Sequence, residues 1–150
     1  MVLRRKIYSR LLEWKKTEGK RALLIEGARR VGKSTIVEEF GKNEYESYIL
    51  IDFSSVSNVV KDAFENYLNS LDTFFMIISA EFGVRLYKRR SLIIFDEVQK
   101  YPKAREAIKH LVKDGRYDYI ETGSLISIKE NVSSILIPSE ERSIKMYPLD

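Results

Sequence analysis

The 150-residue chain carries 26 basic and 22 acidic residues, a net charge of +4, with 44% hydrophobic residues and no cysteine. That length suits one domain with a substantial core. The missing cysteines exclude disulfides, thiolate metal sites and thiol nucleophiles, and with His110 the single histidine no donor set for structural zinc is left. No apolar run is long enough to span a bilayer, so no membrane partner is expected and the cytoplasm is the expected location.

In chain order, Ile7, Tyr8, Leu11, Leu12 and Trp14 fall mostly on one helical face, and Gly19 closes that helix. Basic residues recur at Arg4-Arg5-Lys6, Lys15-Lys16, Lys20-Arg21 and Lys88-Arg89-Arg90. Interspersed acids favour solvated helix ends over a nucleic-acid footprint, and leave nucleic acid open as a partner. A first strand is predicted from about Arg21 to Glu26, then Gly27-Ala28-Arg29-Arg30-Val31-Gly32-Lys33-Ser34, then a helix to about Phe40 stopped by Gly41-Lys42-Asn43. Tyr48 to Phe53 reads as strand two, short and β-branched. Val59, Val60, Ala63, Phe64, Tyr67 and Leu68 predict one helix. Phe74, Phe75, Ile77, Ile78 and Phe82 predict another, capped by Asp72 or Thr73. Ser91 to Glu97 is a continuously apolar strand ending in two acids, as a strand buried on both faces would be. A helix follows over Ala104 to Val112, then a strand over Tyr117 to Glu121, followed by Thr122-Gly123-Ser124, loop and some helix over Leu125 to Glu141, and a last strand over Arg142 to Tyr147. Alternating strands and helices imply an α/β fold, a parallel sheet between helical layers, with the strand carboxyl ends on one edge.

Two motifs carry chemistry. Gly27 to Ser34 fits G-x-x-x-x-G-K-[ST] without departure, between a strand and a helix, where the motif must lie. Glycines let backbone N–H groups turn inward around phosphate oxygens, and the helix that follows adds its unpaired amides and positive dipole end. The nucleotide-binding segment is therefore Gly27, Ala28, Arg29, Arg30, Val31, Gly32, Lys33, Ser34 and Thr35, with ATP as ligand. Lys33 is placed to reach the β- and γ-phosphates, and the Ser34 hydroxyl to ligate Mg²⁺. Asp96-Glu97, after Leu92-Ile93-Ile94-Phe95, has the form of a Walker B motif. Asp96 would hold Mg²⁺. Glu97 would orient or deprotonate the attacking water. Strand alternation aims the two carboxylates in different directions. Thr122, with Ser124 second, is the candidate γ-phosphate reader; an ordinary Thr-Gly-Ser turn is the alternative. Arg142 is either a charge donor to the transferred phosphoryl group, in cis or across a subunit boundary, or a surface arginine.

The combination Gly-Ala-Arg-Arg-Val-Gly-Lys-Ser, Ile-Phe-Asp-Glu-Val-Gln, Glu-Thr-Gly-Ser and Tyr-Pro-Leu resembles the AAA-type P-loop ATPases of archaea and bacteria, over Tyr8 to Asp150. The resemblance implies a five-stranded sheet of order 5-1-4-3-2, ATP over other nucleotides, and the roles above for Lys33, Ser34, Asp96, Glu97 and Thr122, with Gln99 supporting Glu97 or a nearby loop. It also implies that residues 1–150 are an ATPase core without its lid. In the family the chain continues into a helical lid and a further C-terminal domain. Apolar surface left bare by that lid predicts some self-association. The expected activity is Mg²⁺-dependent ATP hydrolysis driving a conformational change on a client. A nucleotide-gated switch with little turnover and a small-molecule kinase are the alternatives; a GTPase is disfavoured because no Asn-Lys-x-Asp motif occurs.

Overall fold

Five short strands assemble in the computed structural model into one parallel sheet with helices on both faces. The structure describes residues 2–27, 32–124 and 142–145, the last four and residues 2 and 3 by backbone alone. The strands are β1 Leu23–Gly27, β2 Ser47–Asp52, β3 Ser91–Asp96, β4 Asp118–Ser124 and β5 Arg142–Lys145. Their spatial order is β2-β3-β4-β1-β5, the predicted 5-1-4-3-2 read from the other edge, and every pairing is parallel.

Helices α1 (Val2–Lys15) and α2 (Lys33–Glu44) cover one face, where Leu11, Trp14, Ile36 and Phe40 pack on Ile25, Ile94 and Ile120. Helices α3 (Asn58–Asn66), α4 (Leu71–Phe82) and α5 (Pro102–Asp114) cover the other, where Phe64, Phe74, Ile108 and Leu111 pack on Ile51, Phe95 and Tyr119. β3 is buried at all six positions, which is why it reads as a continuous apolar run. The layering is α/β/α, as expected for the fold class.

Several boundaries depart from the sequence expectation. Gly41 does not stop α2. It lies inside the helix, where a Cβ would come within 3.0 Å of Tyr48 Cβ and Cγ; the glycine marks a close approach of α2 to β2, not a cap. α4 starts after Ser70, ahead of both Asp72 and Thr73, and no side chain caps it. α3 is capped by Ser57, whose Oγ accepts from Val60 N–H at 3.3 Å. Leu12 is 37% exposed and leaves the predicted apolar face of α1. Thr122-Gly123-Ser124 is not a turn beyond β4 but its last three residues, paired with Ile25, Glu26 and Gly27. The segment predicted as loop and helix over residues 125–141 lies outside the described residues.

Candidate functional site

β1 delivers the chain to the carboxyl edge of the sheet at Gly27, and α2 leaves that edge at Lys33. Gly32 caps α2 in the left-handed region at φ 81°, and its carbonyl accepts from Ile36 N–H at 3.1 Å. An ideal Cβ on Gly32 would meet nothing within 4 Å, so the requirement for glycine is one of backbone conformation, not of space. Lys33 and Ser34 occupy the first turn of α2, Lys33 buried at 4% exposure. Thr35 follows them in the same turn and is exposed. Ala28, Arg29, Arg30 and Val31 lie outside the described residues, as does the side chain of Arg142, whose backbone pairs with Leu23 at the start of β5.

β3 ends at the same edge. Asp96 Oδ1 accepts from Ser34 Oγ at 2.7 Å and from Thr122 Oγ1 at 2.5 Å. Thr122 Oγ1 in turn accepts the backbone N–H of Glu97 at 3.1 Å. One buried hydroxyl thus ties the last residue of β3, the residue after it, and β4 together. Glu97 itself has φ 54° and ψ 50°, a left-handed conformation uncommon outside glycine and asparagine. That turn overrides strand alternation. The two carboxylates do not diverge as alternation predicts, and both face the first turn of α2: Asp96 meets Ser34, and Glu97 Oε2 accepts from Lys33 Nζ at 3.0 Å. Glu97 Oε1 accepts from Gln99 Nε2 at 2.8 Å and from Ser124 Oγ at 3.2 Å.

The Glu97 carboxylate is about nine-tenths buried and receives donors on both oxygens. Burial alone would push its pKa up. The hydrogen bonds from Gln99, Lys33 and Ser124, with the Lys33 charge, outweigh that and hold it below the ordinary carboxylate value. Glu97 is therefore ionised at neutral pH, as a group that accepts a proton must be.

Ser34 Oγ, Thr122 Oγ1 and Asp96 Oδ1 offer oxygen donors only, and they converge on one another. Among the described residues no three His, Cys, Asp or Glu gather into a metal-ligand set. A single carboxylate beside a hydroxyl fits a hard, oxygen-seeking dication that keeps waters and phosphate oxygens among its ligands, and fits no soft metal.

The family model for an AAA domain matches residues 19–150. The chain belongs to the AAA domain family. No curated protein matches it. Membership carries nucleotide binding of the P-loop ATPase type, and the parallel sheet with a glycine-led helix at its carboxyl edge is the matching core. Among the described residues no helix of the AAA domain is long and apolar enough to cross a membrane.

Two features of this AAA domain escaped sequence reasoning. Thr122 and Ser124 reach different carboxylates: Thr122 contacts Asp96 and Ser124 contacts Glu97, two residues apart on one face of β4. The second is a buried ion pair just beyond the site, Arg105 Nη1 to Glu121 Oε2 at 2.7 Å, at 3% and 0% side-chain exposure. Burial lowers the Arg105 pKa to about 10, against an opposing pull from Glu26. A charged residue in register with Ile108 and Val112 on the apolar stripe of α5 was the available signal.

Proposed function

We propose that this AAA domain binds ATP along Gly27 to Thr35 and hydrolyses it with Mg²⁺ to drive a conformational change on a client macromolecule. The observation that carries the proposal is the Glu97 carboxylate, ionised, buried and held beside Asp96 at the first turn of α2. Lys33 exchanges Glu97 for the β- and γ-phosphate oxygens when ATP arrives. Glu97 Oε2 is then free to accept a proton from water, while Gln99 and Ser124 keep Oε1 fixed. Ser34 and Asp96 would hold Mg²⁺, and Thr122 positions Asp96. Mg²⁺ held there would supply charge neutralisation to the phosphate oxygens.

Glu97→Gln tests the reading, since it keeps shape and hydrogen bonding but cannot take the proton. Binding of a fluorescent ATP analogue should persist while phosphate release falls about 10²–10⁴-fold. Phosphate release at the parent rate would remove Glu97 as the base. A parent rate no faster than uncatalysed ATP would favour the nucleotide-gated switch instead.

A further inference from the structure

The basic runs at Lys15-Lys16, Lys20-Arg21 and Lys88-Arg89-Arg90 are far apart in sequence, and the fold brings them together. The turn after α1 lies against the loop before β3: an ideal Cβ on Gly19 would sit 2.6 Å from Arg89 Nη1. Lys15 and Lys16 share a groove of about 850 Å³ with Arg89, and three acids, Glu18, Glu44 and Asp118, line it with them. The groove is at the amino-terminal edge of the strands, opposite the Lys33–Glu97 site. From the groove the outer face of α1 continues the positive band through Arg10, Lys6 and Arg5, which line a common hollow with Ser9.

The charge is concentrated here. Residues 2–21 hold eight basic and two acidic residues, a net of +6, against +4 for the whole chain, so the rest of the chain is net negative. Little of that charge is internally neutralised. Arg4 pairs with Glu39, Arg89 with Asp118, and Lys15 lies over the Tyr45 ring. Among the described residues, Arg5, Lys6, Arg10, Lys16, Lys20 and Lys88 form no ion pair, and all six are exposed.

We infer that the outer face of α1 and the adjoining Lys88–Arg90 loop form a docking surface for the phosphate backbone of duplex nucleic acid. The polyanion is specified by what the surface lacks. An anionic membrane would be gripped by an amphipathic helix that offers its apolar side to lipid. The apolar side of α1 is spent, with Ile7, Leu11 and Trp14 at 3%, 0% and 2% exposure inside the core. Single strands would be gripped by stacking on free aromatic faces. Tyr8 donates to Glu44 at 2.8 Å and packs on Phe40, while Trp14 is buried. What remains is a row of long cationic side chains with one exposed acid, Glu13, among them. Arg5 to Lys16 spans about 16 Å of helix, beside which a duplex presents roughly nine phosphate charges. Such binding is independent of sequence and strongly salt-dependent.

The test is fluorescence anisotropy of a labelled random-sequence duplex titrated with the chain, at salt from roughly 50 to 200 mM. Arg5→Gln/Lys6→Gln/Arg10→Gln/Lys16→Gln should weaken binding at least ten-fold, and lower the log–log salt slope by about 2 to 3.5, at roughly 0.9 for each phosphate no longer neutralised. Lys61→Gln/Lys103→Gln/Lys109→Gln/Lys113→Gln removes the same charge from α3 and α5 and should stay within about two-fold of the parent. Lys88→Gln/Arg90→Gln leaves α1 untouched, probes the loop on either side of Arg89, and should lose about three-fold. ATP-analogue affinity should be unchanged in all three, since none alters the Lys33–Glu97 site. Equal weakening by the α1 and the control variants would reduce the effect to net charge and overturn the inference. So would a parent that binds no duplex, or one that binds phosphatidylserine vesicles in its place.

Discussion

Lys33→Met tests the ion pair on which the site is built. In the parent, Lys33 Nζ and Glu97 Oε2 are 3.0 Å apart, at 4% and 12% side-chain exposure. At an effective dielectric near 20 their attraction is about 5 kcal/mol, much of it offset by the desolvation of both charges. Removing one partner of a buried pair costs about 3–5 kcal/mol, because the other charge stays buried. Gln99 and Ser124 still donate to Glu97 Oε1, so the lower end, about 3 kcal/mol, is expected at neutral pH without nucleotide. The pH dependence has a definite sign. The parent Glu97 has a folded pKa below its ordinary 4.5, so its stabilisation is present above that value and lost as pH falls through the folded pKa. Without Lys33 two of the effects that lower it are gone and the folded pKa rises, so the variant's penalty shrinks as pH falls. Urea unfolding of parent, Lys33→Met and Lys33→Met/Glu97→Leu at neutral pH and near pH 4.5 measures this. The gap between parent and single variant should narrow on acidification, and the double variant should recover more than half of the loss at neutral pH. A single variant within about 0.5 kcal/mol of the parent at neutral pH, or a gap that widens with acid, would refute the reasoning.

Asp96→Asn should weaken ATP-analogue binding about ten-fold or more in Mg²⁺ and leave it nearly unchanged in a chelator, because the loss is one of metal affinity; equal weakening in both would remove Asp96 from the metal site. Gly41→Ala should destabilise by about 1–2 kcal/mol in a denaturant melt, its 3.0 Å clash with Tyr48 outweighing the helix-propensity gain of about 1 kcal/mol; a more stable variant would show that α2 yields freely. Arg105→Met should cost about 3–5 kcal/mol by leaving Glu121 buried without its cation, and Arg105→Met/Glu121→Leu should cost clearly less in the same melt.

The sheet is legible in the sequence because parallel strands buried on both faces must be apolar throughout, and Leu92-Ile93-Ile94-Phe95 could hardly be anything else. The phosphate loop and the Asp96-Glu97 pair are legible because the chemistry they suggest demands fixed residue types at a strand end. Sequence reasoning fails wherever a residue type has two uses. Gly41 reads as a stop because glycine ends helices, but glycine also admits a close neighbouring side chain, and only the packing against Tyr48 says which. Thr122-Gly123-Ser124 reads as lying just past a strand that ends at Glu121, with an ordinary turn as one alternative. It is strand because Asp96 and the Glu97 carboxylate and backbone N–H satisfy its hydroxyls, leaving its backbone free to pair with β1.

Glu97 is the instructive failure, since its identity is legible and its direction is not. Alternation sends residue 97 to the face opposite Asp96, towards α5, and no local residue announces a reversal. The left-handed backbone at a glutamate is a cost, of order 1–3 kcal/mol for such conformations, and the hydrogen bonds of its side chain are what offset it. Lys33, Gln99 and Ser124 come from α2, from the short helix after β3 and from β4, three elements separated in sequence. None of them could be assigned to Glu97 before the fold joined them. Strain at one residue, held by donors from three elements, concentrates both carboxylates on the single helix turn that follows the phosphate loop. It also makes Lys33 the one donor of the three whose departure would leave Glu97 buried without a countercharge. A phosphate that draws Lys33 away therefore changes the acidity of Glu97 by the same contact it makes, which, on the function proposed above, would couple occupancy of the site to the readiness of its base.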